Sequence, residues 1–530
     1  MTDLVDDAGA AHPRRPFQRS PRVLVLLVGL WVFVLGGVWA VVTPPHGSPD
    51  EPAHTIRAVS LWSGGPLKGV SNGEDIIAFE TKVPAFYAHS DGVMRCWVTQ
   101  PNVTADCSTF PEEDSTIIPA ISSAGLHPPA WYASIGWIGR LLPNHYGFYA
   151  MRLVAVLLCA AILMPLGATL RTKHNSPIEL IAALCGLTPV AMFLIGSVNP
   201  NGYEIASAIA FWGSGLTAAR YFAAGERVPR LVSWHALIAA ATLIQTRPLS
   251  PGFAMMIAAA IGLAAAVSPR AMLRSRNAII ASGLFFASIV PAVVWALYSG
   301  HLALQINPEV ERVETAFETV LGALGFYYQT AVGAFSWADA GVSSVTVLAW
   351  IVIMIAILGV AIATGSRRYL VVMALCVVAG HFLPAIAQYR SYEANGLVWQ
   401  GRYSLPWLVG IPLLAAASVQ RALPRETILR VVTVVSCSVV IGQVGGLYWA
   451  ARRWTVGADN EWWIFDSLRW TPPGPFPLWS LMTGFAVAAA AGLWVVSQAS
   501  LDEFPVPTTS PRTPDLDPPV ESHDEEPLNA

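Results

Sequence analysis

Charged residues are scarce in this sequence. Asp, Glu, Lys and Arg make up 12% of its 530 residues, whereas hydrophobic residues make up 54%. Soluble globular proteins carry about 25% charged residues. The shortage of charge, together with a mean hydropathy of +0.52, excludes an ordinary soluble domain. It predicts an all-α polytopic membrane protein, because helices satisfy their backbone hydrogen bonds inside the bilayer.

Several chemical signatures are also missing. The net charge is −3 and the sequence has no basic patch, which argues against a nucleic-acid partner. It contains neither a nucleotide-binding glycine-rich loop nor the ligand spacing of a zinc site. These absences disfavour a nucleotide-sugar substrate and a structural metal, and no cofactor is required. A divalent cation is compatible with the sequence, although nothing in it indicates one.

Apolar runs predict about twelve transmembrane helices. The first, at residues 23–42, has about the 20 residues that the hydrocarbon core requires. The others are expected at 147–170, 177–197, 203–223, 231–246, 250–267, 278–298, 344–363, 369–387, 403–419, 427–449 and 478–498. The run at 127–142 is too short to span and contains Trp and Tyr, which predicts a juxtamembrane helix at the interface.

The positions of basic residues predict the orientation. With 127–142 on the membrane surface, connections such as 171–173 and 367–368, with two basic residues each, fall on the cytoplasmic side. The positive-inside rule favours this arrangement. It predicts a transmembrane domain at 23–498 with both termini in the cytoplasm of a cell whose plasma membrane it spans. Its outer loops are expected at 43–146, 299–343, 388–402 and 450–477.

The two ends of the chain are polar. Residues 1–22 contain several arginines and predict a disordered cytoplasmic lead, and 499–530, rich in Pro, Asp and Glu, predict a disordered cytoplasmic tail. Among the six cysteines, Cys96 and Cys107 lie in the large polar loop. They can form a disulfide if that loop faces an oxidising compartment.

The stretch directly after the first apolar run combines several reactive side chains. Ser48 and Glu51 have the spacing of a capping box, which predicts a helix entry. From that entry, Asp50, His54 and Arg57 lie at i, i+4 and i+7 and therefore share one helical face. Asp50 and Glu51 are thus candidate catalytic carboxylates. The simpler alternative is that both only complement the positive end of the helix dipole.

Further polar residues lie at the predicted outer ends of the spans. A charge inside a span costs about 2.5–3.5 kcal/mol, so such residues usually face a cavity or a partner. For the arginines, an alternative is that their head groups reach lipid phosphates at the interface. These candidates are His127, Arg152, Asn199, Asn201, Glu204, Arg247, Asp339, Glu393, Arg402 and Tyr403.

A series of motifs resembles an uncharacterised bacterial family, domain of unknown function 2142, over about residues 22–450. The motifs occur in matching order: Ser48-Pro49-Asp50-Glu51-Pro52-Ala53-His54, His127-Pro128-Pro129, Ser197-Val198-Asn199-Pro200-Asn201, Thr246-Arg247-Pro248, Gly333-Ala334-Phe335-Ser336-Trp337-Ala338-Asp339 and Gln400-Gly401-Arg402-Tyr403-Ser404-Leu405-Pro406. Arg247 stands where relatives commonly carry lysine, which preserves the positive charge.

That family is in turn similar to the C-fold glycosyltransferases, which draw sugars from polyprenyl-phosphate carriers. The resemblance implies a glycosyltransferase C-like fold and transfer of a sugar from a polyprenyl-phosphate donor to an envelope glycan, lipid or protein acceptor. Asp50 is then the expected general base, with Glu51 as the alternative or as a support. His54 and Arg57 would either support the catalytic residues or bind the acceptor. Arg152, Arg247 and Arg402 are the candidates for stabilising the leaving phosphate.

Two other functions use similar residues. A transporter or flippase for a lipid-linked envelope intermediate also places charges at span ends around a cavity. It needs access from both sides, whereas the polar candidates here cluster at the predicted outer ends. A non-catalytic membrane scaffold would leave Asp50 and Glu51 without a demanding role.

Overall fold

The computed structural model describes residues 21–71, 79–300, 322–388, 399–419 and 423–502. Within these ranges the chain is mostly helical. Most of the ends predicted to be disordered, at 1–22 and 499–530, lie outside the described residues, as does the candidate Glu393. Residues 21–22 and 499–502 are helical, so the predicted disorder is wrong there. Parts of the expected outer loops, at 72–78, 301–321 and 389–398, also lie outside the described residues.

Along the sequence, the described helices divide after the long helix α9 into a first and a second half. The first half comprises α1 (Pro21–Val42), α2 (Glu51–Ser60), α3 (Ala85–Met94), α4 (Pro129–Leu141), α5 (His145–Leu163), α6 (Leu166–Thr169), α7 (Glu179–Cys185), α8 (Pro189–Ile195) and α9 (Pro200–Ala223). The second half comprises α10 (Arg230–Ile244), α11 (Ser250–Ala264), α12 (Pro269–Arg274), α13 (Arg276–Ser299), α14 (Leu324–Val332), α15 (Ser344–Thr364), α16 (Arg367–Gln388), α17 (Gly401–Leu408), α18 (Gly410–Ser418), α19 (Arg425–Thr455) and α20 (Leu478–Asp502).

Seven helical stretches in the described part of the chain are long and apolar enough to cross a membrane. They are Pro21–Val42, His145–Thr169, Arg276–Ser299, Ser344–Thr364, Arg367–Ala387, Arg425–Thr455 and Leu478–Gln498. This pattern agrees with a polytopic membrane protein. Helices α10 and α11 are apolar but have only 15 residues each.

Two expected spans are interrupted. The run at 177–197 forms α7 and α8, separated around Gly186 and Leu187. Helix α8 then starts afresh, because Thr188 Oγ1 accepts a hydrogen bond from the Ala191 amide as its N-cap. The run at 403–419 is divided at Val409. Pro412 lacks the amide hydrogen that would continue the helical ladder there.

Helix α9 lies at the centre of the bundle. It has 24 residues, most of them buried, and it packs against α5, α8, α10 and α11. The core around it consists of large apolar side chains such as Trp39, Phe193 and Trp212. Because α9 runs the length of the bundle, its first turn and its last turn position two separate polar regions.

The connection between α1 and α5 folds into a small lobe of its own. It contains a three-stranded antiparallel sheet in the order β1 (Val70–Ser71), β2 (Phe79–Pro84), β3 (Ile117–Ser122), so the expected all-α class is incomplete. The sheet packs on α2 and α3, and α2 packs on α4. At that last contact, a Cβ on Gly136 would lie 1.9 Å from the Ala58 carbonyl oxygen. Glycine is therefore what lets the two helices approach so closely.

A disulfide closes part of this lobe. Cys96 and Cys107 are bonded, with a Cα–Cα distance of 6.1 Å. Nearby, Arg453 at the end of α19 donates hydrogen bonds to the carbonyl oxygens of Trp97 and Gln100. The lobe is thus held against the helix bundle by a buried guanidinium.

Candidate active site

The two neighbouring carboxylates of the opening motif have opposite environments. Glu51, the first residue of α2, has no exposed side-chain surface. Its two oxygens accept hydrogen bonds from Arg152 Nε at 2.8 Å and Nη2 at 2.6 Å, and Oε1 also accepts one from the Val198 amide at 2.8 Å. Glu51 is therefore held in a buried bidentate ion pair.

Every side-chain N–H of Arg152 donates a hydrogen bond within the protein. Besides its bonds to Glu51, Nη1 donates to the carbonyl oxygens of Ala40 and Thr43, and Nη2 donates to that of Pro44. An arginine has five N–H donors, and all five are engaged here. The side chain is completely buried. Arg152 thus closes the C-terminal end of α1 and has no donor left for a phosphate, contrary to the role expected from the sequence.

Asp50 is presented by an unusual backbone conformation. Its φ and ψ are 63° and 4°, in the left-handed region that Asp tolerates better than most residues. Asn199 supports this turn, because its side-chain amide donates to the Pro49 carbonyl oxygen at 3.0 Å. Asp50 is the N-cap residue of α2, but its side chain makes no capping hydrogen bond, and half of it is exposed. Its carboxylate is consequently accessible.

The expected capping box does not form as predicted. The cap residue is Asp50 rather than Ser48, and the Ser48 amide approaches Glu51 Oε2 only at 3.5 Å. Glu51 instead turns toward Arg152 because the ion pair is the stronger interaction. The helix entry at this position was predicted from the sequence, but its detailed geometry depends on Arg152 and Asn199.

Arg402 faces Asp50 from the first turn of α17. Its Nη2 lies 3.9 Å from Asp50 Oδ2 and donates a hydrogen bond to the Tyr403 hydroxyl at 2.9 Å. The side chain is only 3% exposed. Its Nε and Nη1 are buried and have no hydrogen-bond partner among the described residues. A buried guanidinium with two unmatched donors is a favourable place for an anion, since unmatched buried donors cost free energy.

A second arginine, Arg247, also contacts the Tyr403 ring. The guanidinium carbon of Arg247 is 5.1 Å from the ring centroid and that of Arg402 is 4.9 Å away, so both make cation–π contacts. Arg247 Nη1 lies 3.3 Å from Glu204 Oε2, and the Ser250 hydroxyl donates to Glu204 Oε1 at 2.5 Å. Glu204 therefore offsets the charge of Arg247, while Arg402 retains more of its own.

Two histidines and a tyrosine form a hydrogen-bonded chain that includes His54 of the opening motif. Tyr132 Oη is hydrogen-bonded to His54 Nδ1 at 2.9 Å and to His127 Nδ1 at 3.0 Å. Burial lowers the pKa of His54 to about 3, although the Asp50 carboxylate opposes this shift. Burial also favours the neutral form of Tyr132, because it raises the pKa of the hydroxyl group. His54 is therefore a neutral imidazole at neutral pH, and Tyr132 keeps its proton.

Arg57 has a different position from the one expected. Its Nη2 donates to the carbonyl oxygens of Leu67 and His127, at 2.7 and 3.1 Å. The side chain is buried, and burial lowers its pKa to about 10, so it remains a cation. Arg57 thus fastens two loop segments of the lobe to α2. These contacts give Arg57 a structural role, while its Nε is buried without a hydrogen-bond partner among the described residues.

Of the remaining candidates, Asn201 contacts the residue that supports the turn at Asp50, whereas Asp339 pairs elsewhere. Asn201 is buried in the first turn of α9, where its backbone N–H donates a hydrogen bond to Asn199 Oδ1 at 3.0 Å. Asp339 pairs with Arg453 at 2.8 Å, on the side where the lobe meets α19. Among the described residues, no group of three His, Cys, Asp or Glu side chains is arranged to hold a metal ion.

Tyr132 is a site residue that motif analysis did not identify. It lies near the start of α4, in the sequence Pro128-Pro129-Ala130-Trp131-Tyr132, where aromatic residues indicated only an interfacial helix. Its position five residues after His127 is the one local signal. The contact with His54 joins positions 78 residues apart, so only the packing of α4 on α2 creates it.

The helices and the site together define a polytopic membrane protein with a cluster of polar and charged side chains at the N-terminal end of α9. Asp50, His54, Tyr132, Arg247 and Arg402 come together there from four separate parts of the chain. The model of the family described as "Predicted membrane protein (DUF2142)" matches residues 33–411. The chain belongs to this family, and all five residues lie inside the matched range. A search of curated proteins finds no match.

Proposed function

We propose that this protein is a membrane glycosyltransferase that moves a sugar from a polyprenyl-phosphate donor to a cell-envelope acceptor. In this proposal the site opens to the outer face of the plasma membrane. The supporting observation is the pairing of an accessible carboxylate, Asp50, with a buried arginine that has unmatched donors, Arg402. A glycosyl transfer from a phosphate needs both a base and a cation that stabilises the leaving group.

Asp50 acts as the general base in this mechanism. It accepts the proton of the acceptor hydroxyl while that oxygen forms a bond to the anomeric carbon of the donor. The bond between the anomeric carbon and the phosphate oxygen breaks, and its electron pair leaves with the phosphate. A single base opposite the leaving group implies inversion at the anomeric carbon, by analogy with inverting glycosidases.

Glu51 supports Asp50 rather than replacing it. Its oxygens are occupied by Arg152 and Val198, and it is completely buried. A carboxylate in such a pair has no free access to an acceptor hydroxyl. By anchoring the start of α2, Glu51 keeps the left-handed turn of Asp50 in place.

Arg402 is the expected partner of the departing phosphate. Its unmatched Nε and Nη1 groups provide donors for phosphate oxygens, and its positive charge stabilises the charge that develops on the leaving group. Tyr403 orients it through the hydrogen bond to Nη2. Arg247, stacked on the same ring, adds positive potential that Glu204 partly offsets.

His54 is placed to contact the acceptor. It follows Asp50 by one helical turn, and its Nδ1 is engaged with Tyr132. A neutral imidazole accepts or donates a hydrogen bond without adding charge to the site. Tyr132 and His127 then position His54 rather than touching the substrate themselves.

The charge distribution along α9 favours a transferase over a transporter. Glu204 in its second turn belongs to the proposed site, and the next charged residue along the helix is Arg220 near its end. The intervening residues 205–219 are apolar or carry hydroxyl groups. Since a path for a charged lipid-linked intermediate requires polar contacts along its length, these residues offer little to such a path.

Envelope glycans of producing cells provide the test. Cells with the wild-type protein, with Asp50→Asn or with Glu113→Gln would be compared by mass spectrometry of their envelope glycans and lipids. Glu113 is a matched control, because it is an exposed carboxylate of the same lobe with 60% of its side chain accessible. We expect Asp50→Asn to lose a sugar-bearing species that wild type and Glu113→Gln retain. An unchanged glycan profile in an Asp50→Asn strain that produces the protein normally would contradict the proposal.

A further inference from the structure

A second polar region lies at the other end of the helix bundle. Arg220 is separated from Glu204 by 16 residues of α9, which corresponds to about 24 Å at a rise of 1.5 Å per residue. A cavity of about 330 Å³ opens beside Arg220. Its size is within the range of small-ligand pockets, and the proposed sugar-transfer site does not include it.

The walls of this cavity carry an excess of positive charge. Lys173, Arg220 and Arg368 line it. Arg220 Nη1 is 2.8 Å from Glu179 Oε1, and Lys173 Nζ is 2.6 Å from Glu226 Oε2. Three cations are therefore opposed by two carboxylates, which leaves one net positive charge. His174 also lines the cavity, and its Nε2 lies 3.2 Å from Glu226 Oε2.

Two features of these cations favour a bound anion. Arg220 is 90% buried, and its Nη2 has no hydrogen-bond partner in the described ranges. Arg368 stands in the first turn of α16, where the helix dipole disfavours a cation. Both observations indicate that the cavity is suited to an anion that would contact these side chains.

The rest of the wall combines small apolar residues with two polar residues, Asn175 and Ser176. Ala223, Ala264, Ala265 and Ala417 line the cavity, together with the ring of Tyr369. A cavity lined by cations, polar groups and short apolar side chains matches a phosphate group attached to a small organic group. Basic pockets between membrane helices bind anionic lipid head groups through this combination.

We propose that this cavity binds a phosphodiester anion, such as the head group of an anionic membrane lipid. One net positive charge matches the single negative charge of a phosphodiester. In this arrangement Arg220 Nη2 and Arg368 contact the phosphate, and the alanines leave room for its organic substituent. Free phosphate shares the same chemistry and is the other source that an experiment must distinguish.

Native mass spectrometry of the purified full-length protein in neutral detergent tests this proposal. The probes are phosphatidylglycerol, which is anionic, and phosphatidylcholine, which is zwitterionic. We expect the protein to retain phosphatidylglycerol preferentially. We expect Arg368→Gln to weaken that retention about fivefold, the usual effect of one basic residue near an anionic lipid. The control is Arg430→Gln, because Arg430 is 80% exposed and paired only with Glu426 on the surface of α19.

A second variant separates the cavity from general surface attraction. Ala265→Leu fills the cavity without changing any charge, and we expect it to weaken phosphatidylglycerol retention as well. Displacement of the lipid by excess inorganic phosphate would identify the free anion as a ligand, whereas persistence of the lipid would assign the site to the head group. Equal retention of the two lipids by the wild type, or equal loss in Arg368→Gln and Arg430→Gln, would overturn the proposal.

Discussion

At the scale of single residues, the contrast between Asp50 and Glu51 is the central result. The two carboxylates are adjacent in sequence, yet one is half exposed and the other has no exposed surface. The difference comes from Arg152 and Asn199, which are remote in sequence and hold the turn from two sides. One carboxylate is thereby held in a buried ion pair, and the other stays accessible.

This contrast predicts that two conservative substitutions differ strongly in their effect on the stability of the fold. Glu51→Gln should destabilise the fold by about 3–5 kcal/mol, because Arg152 would keep its buried charge without a matching anion. Asp50→Asn should leave stability nearly unchanged, since the Asp50 side chain is half exposed and makes no capping bond. Thermal unfolding in detergent measures both. A larger loss for Asp50→Asn than for Glu51→Gln would refute the division of roles.

The buried His54 makes stability depend on pH. Its folded-state pKa of about 3 lies below the ordinary value of 6.5, so the unfolded chain takes up a proton that the folded protein excludes. Stability should therefore fall as the pH drops from about 6.5 toward 3. At pH 5 this group alone would cost about 2 kcal/mol. His54→Gln should show a weaker loss between pH 7 and pH 5 in the same unfolding assay, and identical pH profiles would rule out a neutral buried His54.

At the scale of elements, the packing of α2 on α4 builds the site. Helix α2 carries Asp50 at its N-cap and His54 one turn later, whereas α4 carries Tyr132. The two helices meet at Gly136, where the Ala58 carbonyl oxygen occupies the space of a side chain. The hydrogen-bonded chain of His54, Tyr132 and His127 depends on this close approach.

The contact predicts a position-specific effect of adding one methyl group. Gly136→Ala should push α2 and α4 apart, because its Cβ would meet backbone atoms that cannot rotate away. We expect a loss of about 1–3 kcal/mol in stability and reduced sugar transfer. Gly92→Ala in α3 is the control, since a Cβ there has nothing within 4 Å and alanine favours helix. Comparable behaviour of the two variants would mean that the helices tolerate a wider spacing.

The β-strands of the lobe were not predicted from the sequence pattern. The strands Phe79–Pro84 and Ile117–Ser122 pair in antiparallel register, with Thr81 opposite Ala120. They are 6 residues long and contain prolines, so their local pattern is weak beside the long apolar helices. Their pairing is a contact between distant segments, which periodicity within either one does not reveal.

At the scale of the whole molecule, polar groups gather at both ends of the bundle. One end contains Asp50, Arg247 and Arg402, and the other contains the cavity at Arg220. Between them lies an apolar core around α9. This separation matches a membrane protein whose two ends meet different aqueous phases.

The proposed orientation can be measured by cysteine accessibility in intact cells. Glu113→Cys and Lys173→Cys introduce thiols at residues of similar exposure, 60% and 63%. If the lobe is outside and the 171–173 connection is inside, a membrane-impermeant maleimide should label only Glu113→Cys before lysis and both variants after lysis. The wild-type protein, whose cysteines outside the disulfide include the exposed Cys437, provides the background. Labelling of Lys173→Cys in intact cells would reverse the orientation.

Composition and local pattern determined the broad nature of this protein. Long apolar runs partition into lipid whatever their neighbours are, so the membrane class and most helix positions follow from the sequence alone. The opening motif likewise marked Asp50, Glu51 and His54, because reactive residue types cluster there.

Only the tertiary structure decided what each of those residues is free to do. Whether a carboxylate is buried in an ion pair or left accessible depends on partners about one hundred residues away, as Arg152 is from Glu51. The same reason explains Tyr132, whose role exists only because α4 packs on α2. It also explains the two interrupted helices, since a break in an apolar run is stabilised by its surroundings as well as by its own glycine and proline. Local patterns report partitioning and periodicity, whereas the pairing of buried polar groups is a property of the folded chain.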